Sequence, residues 1–220
     1  MHKFANIKVI LFDIDDTLFA STKFSSLARQ NAINAMINCG MDTDYNSAHQ
    51  CLLKIIKKYG SNYSWHFNRL VEHFNCKNKN YCIASAIWAY HNTKLSIAPF
   101  QDVRKTLDRL NNSGYILCVA SRGKSIKQWD KLIRLGLDKC FKEVFVSFRK
   151  DDKFYLKICN KMKVSPSSVL MIGDNPKTDI SPAKKAGLKT VRIKIEKHAN
   201  VTDHADACIS DFSDILNFLL

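Results

Sequence analysis

The chain has 220 residues, 46% hydrophobic and 25% charged, with 7 Gly and 4 Pro, a composition that excludes collagen-like, low-complexity and disordered classes. A chain of this length buries roughly 70% of its unfolded surface, so its core can hold without disulfides or a structural metal. Lys plus Arg number 34 against 20 Asp plus Glu, a formal charge of +14; such a field draws in polyanions and anionic small molecules alike and leaves the fold undetermined.

Met1 to Ile10 carries a lysine and then only a short apolar run, too short for a signal-peptide core. No stretch approaches the roughly 18 apolar residues of a membrane span, and a cytoplasmic location is expected. Val9 to Phe12 is apolar and ends abruptly in acidic residues, which predicts a buried strand. From Ser21 to about Leu95 the apolar residues recur at helical spacing, which predicts a block of about four helices. Beyond Pro99 the pattern alternates. It predicts a helix over Asp102 to Leu110, a turn at Asn112 to Gly114, a strand over Tyr115 to Ala120 and a helix over Ser125 to Leu135. A strand at Val144 to Val146, a helix over Asp152 to Met162, a strand over Ser168 to Ile172 and a helix over Pro176 to Ala186 follow. A strand at Thr190 to Ile193 and a helix near Ser213 to Leu220 complete the series.

Strands alternating with helices give right-handed crossovers and a parallel sheet covered on both faces, hence an α/β fold. The helical block interrupts the alternation after the first strand, which predicts an insertion at the carboxyl edge of the sheet. The core is expected over residues 1–19 and 98–220, with the inserted helical domain over 20–97. The eight cysteines show neither C-x-x-C nor zinc-finger spacing and are read as reduced, buried thiols.

The strongest chemical signal is Asp13-Ile14-Asp15-Asp16-Thr17. Two carboxylates two apart leave a strand on the same side, toward the crevice where open α/β sheets bind ligands. One can serve as nucleophile or metal ligand and the other as general acid/base; the competing reading is a cap, with Asp16 or Thr17 starting a helix. A second apolar strand ends in Gly173-Asp174, with Asp179 in the helix that follows. Hard oxygen ligands converging from two loops suit Mg²⁺. Ser121 at a strand end and the basic cluster Arg149, Lys150 and Lys153 are weaker signals; strand-end hydroxyls often cap helices, and loop lysines are usually solvated.

In this order D-x-D-x-T, a strand ending in Ser, a lysine and G-D-x-x-x-T-D resemble the haloacid-dehalogenase-like superfamily of phosphohydrolases, whose Rossmann-like core carries, in one group, a helical cap of the first type at this insertion point. Leu27-Ala28-Arg29-Gln30-Asn31-Ala32, Tyr59 to Tyr63 and Lys127 to Leu132 are similar to an archaeal branch that acts on glyceraldehyde 3-phosphate. The resemblance implies Asp13 as the nucleophile that becomes an aspartyl-phosphate, and Asp15 as the acid and then the base. It implies Mg²⁺ on Asp13, the backbone carbonyl of Asp15 and Asp174, with Asp179 nearby and Thr17 in support. Ser121 would bind a phosphoryl oxygen and a lysine would orient Asp13.

Two departures stand out. Arg122 follows Ser121 where the family has Asn or Asp, as an extra phosphate contact or a solvated side chain. Arg149-Lys150-Asp151-Asp152-Lys153 replaces K-P-x-P; an ungapped count back from Gly173-Asp174 puts Arg149 at the lysine position and a one-residue deletion puts Lys150 there, with Lys150 favoured and Lys153 in reserve. Asp15 separates a phosphatase from a dehalogenase, whose leaving group needs no proton and whose family members lack that aspartate. The leading reading is a phosphatase of a small phosphorylated metabolite, with no membrane association. The alternatives are a nucleotidase and a non-catalytic basic binding module on a vestigial site; nucleic acid is disfavoured because no aromatic-interleaved basic stripe is present. Tyr63, His66, Phe67 and Arg69 are candidates to face substrate from the cap, although Tyr63, Phe67 and Leu70 recur at core spacing; His66 and Arg69 are the polar exceptions. The resemblance also implies a homodimer.

Overall fold

A computed structural model of the chain describes residues 4, 6–195, 198, 201–202 and 204–220. The first strand is β1 (Val9–Phe12), followed by helices α1 (Ser21–Asn38), α2 (Tyr45–Tyr59), α3 (His66–His73) and α4 (Lys79–Thr93). The alternating portion runs α5 (Val103–Asn112), β2 (Ile116–Arg122), α6 (Ser125–Arg134), β3 (Glu143–Ser147), α7 (Asp152–Met162) and β4 (Val169–Gly173). It ends with α8 (Ser181–Lys185), β5 (Lys189–Ile193), β6 (Ala207–Ile209) and α9 (Leu216–Leu219). The chain divides into two compact units, Met1–Ser21 with Ala98–Leu220, and Thr22–Ile97.

The first unit is built on a six-stranded sheet in the order β3-β2-β1-β4-β5-β6, parallel at every pairing. The strand order reverses at β1, which pairs with β2 on one side and β4 on the other; a reversal of this kind opens a crevice at the carboxyl ends of the strands. All four residues of β1 are fully buried, because helices cover both faces and an apolar β-branched or aromatic run suits such a strand. Val9 and Leu11 join Cys118, Ala120, Val169 and Met171 on one face, packed on Tyr155, Ile158 and Cys159 of α7. Phe12 points to the other, where its ring meets those of Phe141 and Phe212 at centroid distances of 6.0 and 5.6 Å. The second unit has its own core of Ala32, Ile33, Met36, Leu52, Leu70 and Ala86, among others, from the helical spacing read in the sequence.

Several elements differ from their sequence-based expectation. β2 runs on to Arg122, so Ser121 lies inside the strand, paired with Val146. The single helix expected over 176–186 is a π-helical turn at Pro176–Ile180 followed by the short α8. Pro182 has no N–H to offer the carbonyl four residues back, and that carbonyl, Thr178 O, accepts instead from the Tyr155 hydroxyl at 3.0 Å. The three residues of β6 are too few to register as a strand in sequence. The final helix begins as a 3₁₀ turn at Phe212–Ile215, closed by reciprocal capping between Asp211 and Asp214.

Cys76 and Cys82 are joined as a disulfide, which corrects the expectation of free thiols. Asn78 caps α4 by accepting from Tyr81 N at 3.1 Å, and this turn folds Cys76 back against the start of the helix. The remaining cysteines are free, with Cys118, Cys140 and Cys159 buried. Among the described residues no helix is long and apolar enough to cross a membrane.

Candidate active site

The site grows out of the pairing of β1 with β4. The ladder continues one step past Phe12, with Asp13 N donating to Ile172 O at 3.0 Å. By strand alternation Asp13 follows Val9 and Leu11 onto the face covered by α7. The chain then turns, Leu18 N reaching Ile14 O at 3.0 Å, with Ile14 and Leu18 fully buried as anchors. Asp16 accommodates the turn at φ +57°, a backbone region that Asp adopts more readily than most residues. The turn leaves Asp15 only partly buried.

On the adjacent strand, Asp174 follows Gly173 directly and is 4% exposed. Asp179 is carried back over that strand end by the π-helical turn, where its Oδ2 accepts from Asn175 N at 3.0 Å. Gly173 makes this return possible. A Cβ there would lie 2.5 Å from Asp179 Oδ2 and 2.7 Å from its Cγ, so a side chain and the Asp179 carboxylate compete for one space.

Lys150 enters from the β3–α7 connection, which Ser147 tightens by donating to Arg149 O and accepting from Arg149 N. Asp151 then caps α7 by accepting from Phe154 N at 3.0 Å. The Lys150 side chain is 1% exposed, and Nζ donates to Asp13 Oδ1 at 2.8 Å and to Asp179 Oδ1 at 2.5 Å. Burial works against the ammonium, but the two carboxylates outweigh it and hold the Lys150 pKa above its ordinary value. Burial pushes the Asp179 carboxyl up to about 6, with Lys150 acting in the opposite direction. Arg149 points outward, its side chain 87% exposed and paired with Asp151 at 3.2 Å, and Lys153 is exposed.

Asp13, Asp174 and Asp179, all buried, each offer a carboxylate oxygen within 4.8 Å of the others. Three buried carboxylates gathered around one lysine remain short of positive charge, and their hard oxygens fit Mg²⁺. Ser121 is 1% exposed, and among the described residues its Oγ is buried with no hydrogen-bond partner, as is Thr17 Oγ1. Buried hydroxyls normally find a partner, so an unpaired one is suited to an incoming acceptor. The Arg122 carbonyl accepts from Gln128 Nε2 at 2.7 Å, and the residue itself is exposed.

His66 and Arg69 lie in the helical unit and are engaged there. His66 Nε2 is 3.0 Å from Gly60 O, while Arg69 pairs with Glu72 at 2.8 Å and reaches Tyr63 Oη at 3.3 Å. Tyr63 stacks on Tyr59 and Phe67 packs into the core of that unit.

Two neighbours of the carboxylates escape sequence reading. Lys131 Nζ lies 2.7 and 2.6 Å from the two oxygens of Asp15, and His198 Nε2 lies 3.5 Å from Asp174 Oδ2. Asp15 is raised above the ordinary carboxylate value by burial, opposed by Lys131 and reinforced by the nearby Asp13 and Asp16. The signal for Lys131 was its place on α6 at three residues from Gln128, both on the side of the helix that also carries buried Leu132.

A parallel α/β sheet with acidic residues at two adjacent strand ends, a buried lysine between them and a helical insertion after the first strand define a hydrolase of the haloacid-dehalogenase-like type. The chain belongs to that family: the model for haloacid dehalogenase-like hydrolases matches residues 10–193. It is 38% identical to a glyceraldehyde 3-phosphate phosphatase from Pyrococcus furiosus, over 97% of this chain and 93% of the relative. It is 36% identical to one from Methanocaldococcus jannaschii, over 97% of each. Among solved structures, a HAD phosphatase from Thermococcus onnurineus is similar at a TM-score of 0.71, with 23% identity over 97% of this chain and 98% of that one.

Proposed function

We propose that this chain is a Mg²⁺-dependent phosphatase that hydrolyses a small phosphomonoester, with glyceraldehyde 3-phosphate as the leading substrate, through an aspartyl-phosphate on Asp13. The observation that carries this reading is the buried Lys150 ammonium shared between Asp13 and Asp179. It holds one oxygen of Asp13, leaving the other to act as nucleophile.

In the first step an Asp13 oxygen attacks phosphorus in line, the bond from phosphorus to the ester oxygen breaks, and Asp15 delivers a proton to the departing alkoxide. In the second, Asp15, now a carboxylate, takes a proton from a water that attacks the same phosphorus. Inorganic phosphate leaves and the Asp13 carboxylate is regenerated. Ser121 Oγ donates to a phosphoryl oxygen, a role that suits a buried hydroxyl without a partner among the described residues. Lys150 offsets charge that develops on the transferring group. Asp13 and Asp174, with the Asp15 carbonyl, would hold Mg²⁺ and Asp179 would flank it; bound there, the ion supplies the positive charge that lets an anionic carboxylate approach a phosphate.

The archaeal relatives favour a triose phosphate as substrate. The test is phosphate release from triose phosphates, phosphoglycolate and nucleotides, with Mg²⁺ and with EDTA, for the wild-type chain and Asp13→Asn. Metal-dependent release that the substitution removes is expected. Release from nucleotides alone would replace the substrate with a nucleotide, and no release from any ester would overturn the proposal.

A further inference from the structure

Asp15 has a lysine of its own. Lys131 Nζ donates to both of its carboxylate oxygens across 116 positions of sequence and lies 3.2 Å from Gln128 Oε1. An ammonium has three donors, and here all three have acceptors, which sets Lys131 apart from a solvated surface lysine. Gln128 is itself 3% exposed and its Nε2 is committed to the Arg122 carbonyl at 2.7 Å. The space it occupies depends on Gly123, at φ +138°, where a Cβ would come within 2.8 Å of Gln128 Nε2. A continuous chain of contacts therefore runs from the strand end that carries Ser121, through Gln128 and Lys131, to the Asp15 carboxylate.

We propose that Lys131 is a positioning residue for Asp15, with Gln128 fixing the ammonium in register with the Ser121–Gly123 segment. Asp15 stands on a turn beyond the end of β1 and is only partly buried, so its carboxylate would otherwise sample several rotamers. Held by both oxygens the carboxylate has one orientation, and when one oxygen carries the proton the other keeps the ammonium; the preorganisation of a proton donor is worth most when the leaving oxygen is basic. A partly exposed ion pair, its side chains 26% and 36% exposed, contributes little to folding stability, so this pair is better explained by what it does for Asp15 than by what it does for the fold. The inference rests on the phosphatase reading, in which Asp15 protonates the leaving group.

The test compares the wild-type chain with Lys131→Met, Lys131→Gln, Asp15→Asn and Asp15→Asn/Lys131→Met on two esters in the presence of Mg²⁺. p-Nitrophenyl phosphate needs no proton on its leaving group, whereas glycerol 3-phosphate does. Lys131→Met and Lys131→Gln are expected to lose about 100-fold in kcat/KM on glycerol 3-phosphate and less than about threefold on p-nitrophenyl phosphate. Adding Lys131→Met to Asp15→Asn should cost nothing further on glycerol 3-phosphate, because the lysine acts through that carboxylate. Equal losses on both esters, or independent losses in the double variant, would overturn the inference while the phosphatase reading stands. A wild-type chain that releases phosphate from neither of these esters nor from glyceraldehyde 3-phosphate would overturn that reading and the inference with it.

Discussion

The Lys150 ammonium and the Asp13 carboxylate meet at 2.8 Å with side chains 1% and 10% exposed, a buried pair whose second acceptor, Asp179, lies on a different loop. Removing one member of such a cluster strands the others in low dielectric. Lys150→Met is expected to cost about 3–5 kcal/mol of stability and about 100- to 1,000-fold in turnover. Arg149→Ala and Lys153→Ala, on exposed side chains, should stay within about 0.5 kcal/mol of wild type and keep its rate. Denaturant melts and phosphate release on the three variants check this, and a fully active Lys150→Met would remove Lys150 from the mechanism.

Ser121 separates stability from function. Its Oγ is buried without a partner among the described residues, and an unsatisfied buried hydroxyl costs about 1–3 kcal/mol. Ser121→Ala should therefore stabilise the fold by about 1 kcal/mol while weakening inhibition by inorganic phosphate about tenfold, the equivalent of one lost hydrogen bond. A destabilised Ser121→Ala would mean that the hydroxyl is bonded within the protein.

Gly173→Ala tests the close return of Asp179. A methyl there would meet Asp179 Cγ at 2.7 Å, so the carboxylate must shift, with a loss of about 1–3 kcal/mol from overpacking. Turnover should fall with it, whereas Gly114→Ala, with open space around its Cβ, carries only backbone strain and leaves turnover unchanged.

Asp206 gives a pH signature remote from the carboxylate cluster. It accepts from Thr190 N and Thr190 Oγ1 at 2.9 Å each and from Lys184 at 3.1 Å. Burial opposes ionisation, yet the bonds from Lys184 and Thr190 hold its carboxyl below the ordinary value. A carboxyl lowered in the folded state stabilises above its unfolded pKa of about 3.9 and loses that contribution as pH falls through the folded value. The stability difference between wild type and Asp206→Ala should thus be about 1–3 kcal/mol at neutral pH and shrink below about pH 4. A difference that does not change with pH would contradict the assignment of these bonds to the ionised carboxylate.

Much of this architecture was legible because it rests on local pattern. The apolar run of β1 and its acidic end, the helical spacing of α1 to α4 and the strand before Asp174 each announce themselves within a few residues. Once β1 and β4 are neighbours, their register brings Asp13 and Asp174 together. What could not be read depends on partners distant in sequence. Lys131 looks like any lysine on an amphipathic helix until the fold brings Asp15 to it. The π-helical turn reflects the missing N–H of Pro182, which leaves the Thr178 carbonyl to the Tyr155 hydroxyl, β6 needs β5 beside it to exist as a strand, and the Cys76–Cys82 pairing has no spacing motif to announce it.

The central claim, that Asp13 carries the phosphoryl group, is tested most directly by trapping. The chain is mixed with Mg²⁺ and glyceraldehyde 3-phosphate, quenched in acid during turnover, reduced with borohydride and digested for mass spectrometry. An acyl-phosphate at Asp13 is reduced to homoserine at position 13, and the account predicts that product there and its absence from Asp13→Asn. Sustained phosphate release with residue 13 still an unmodified aspartate would contradict it.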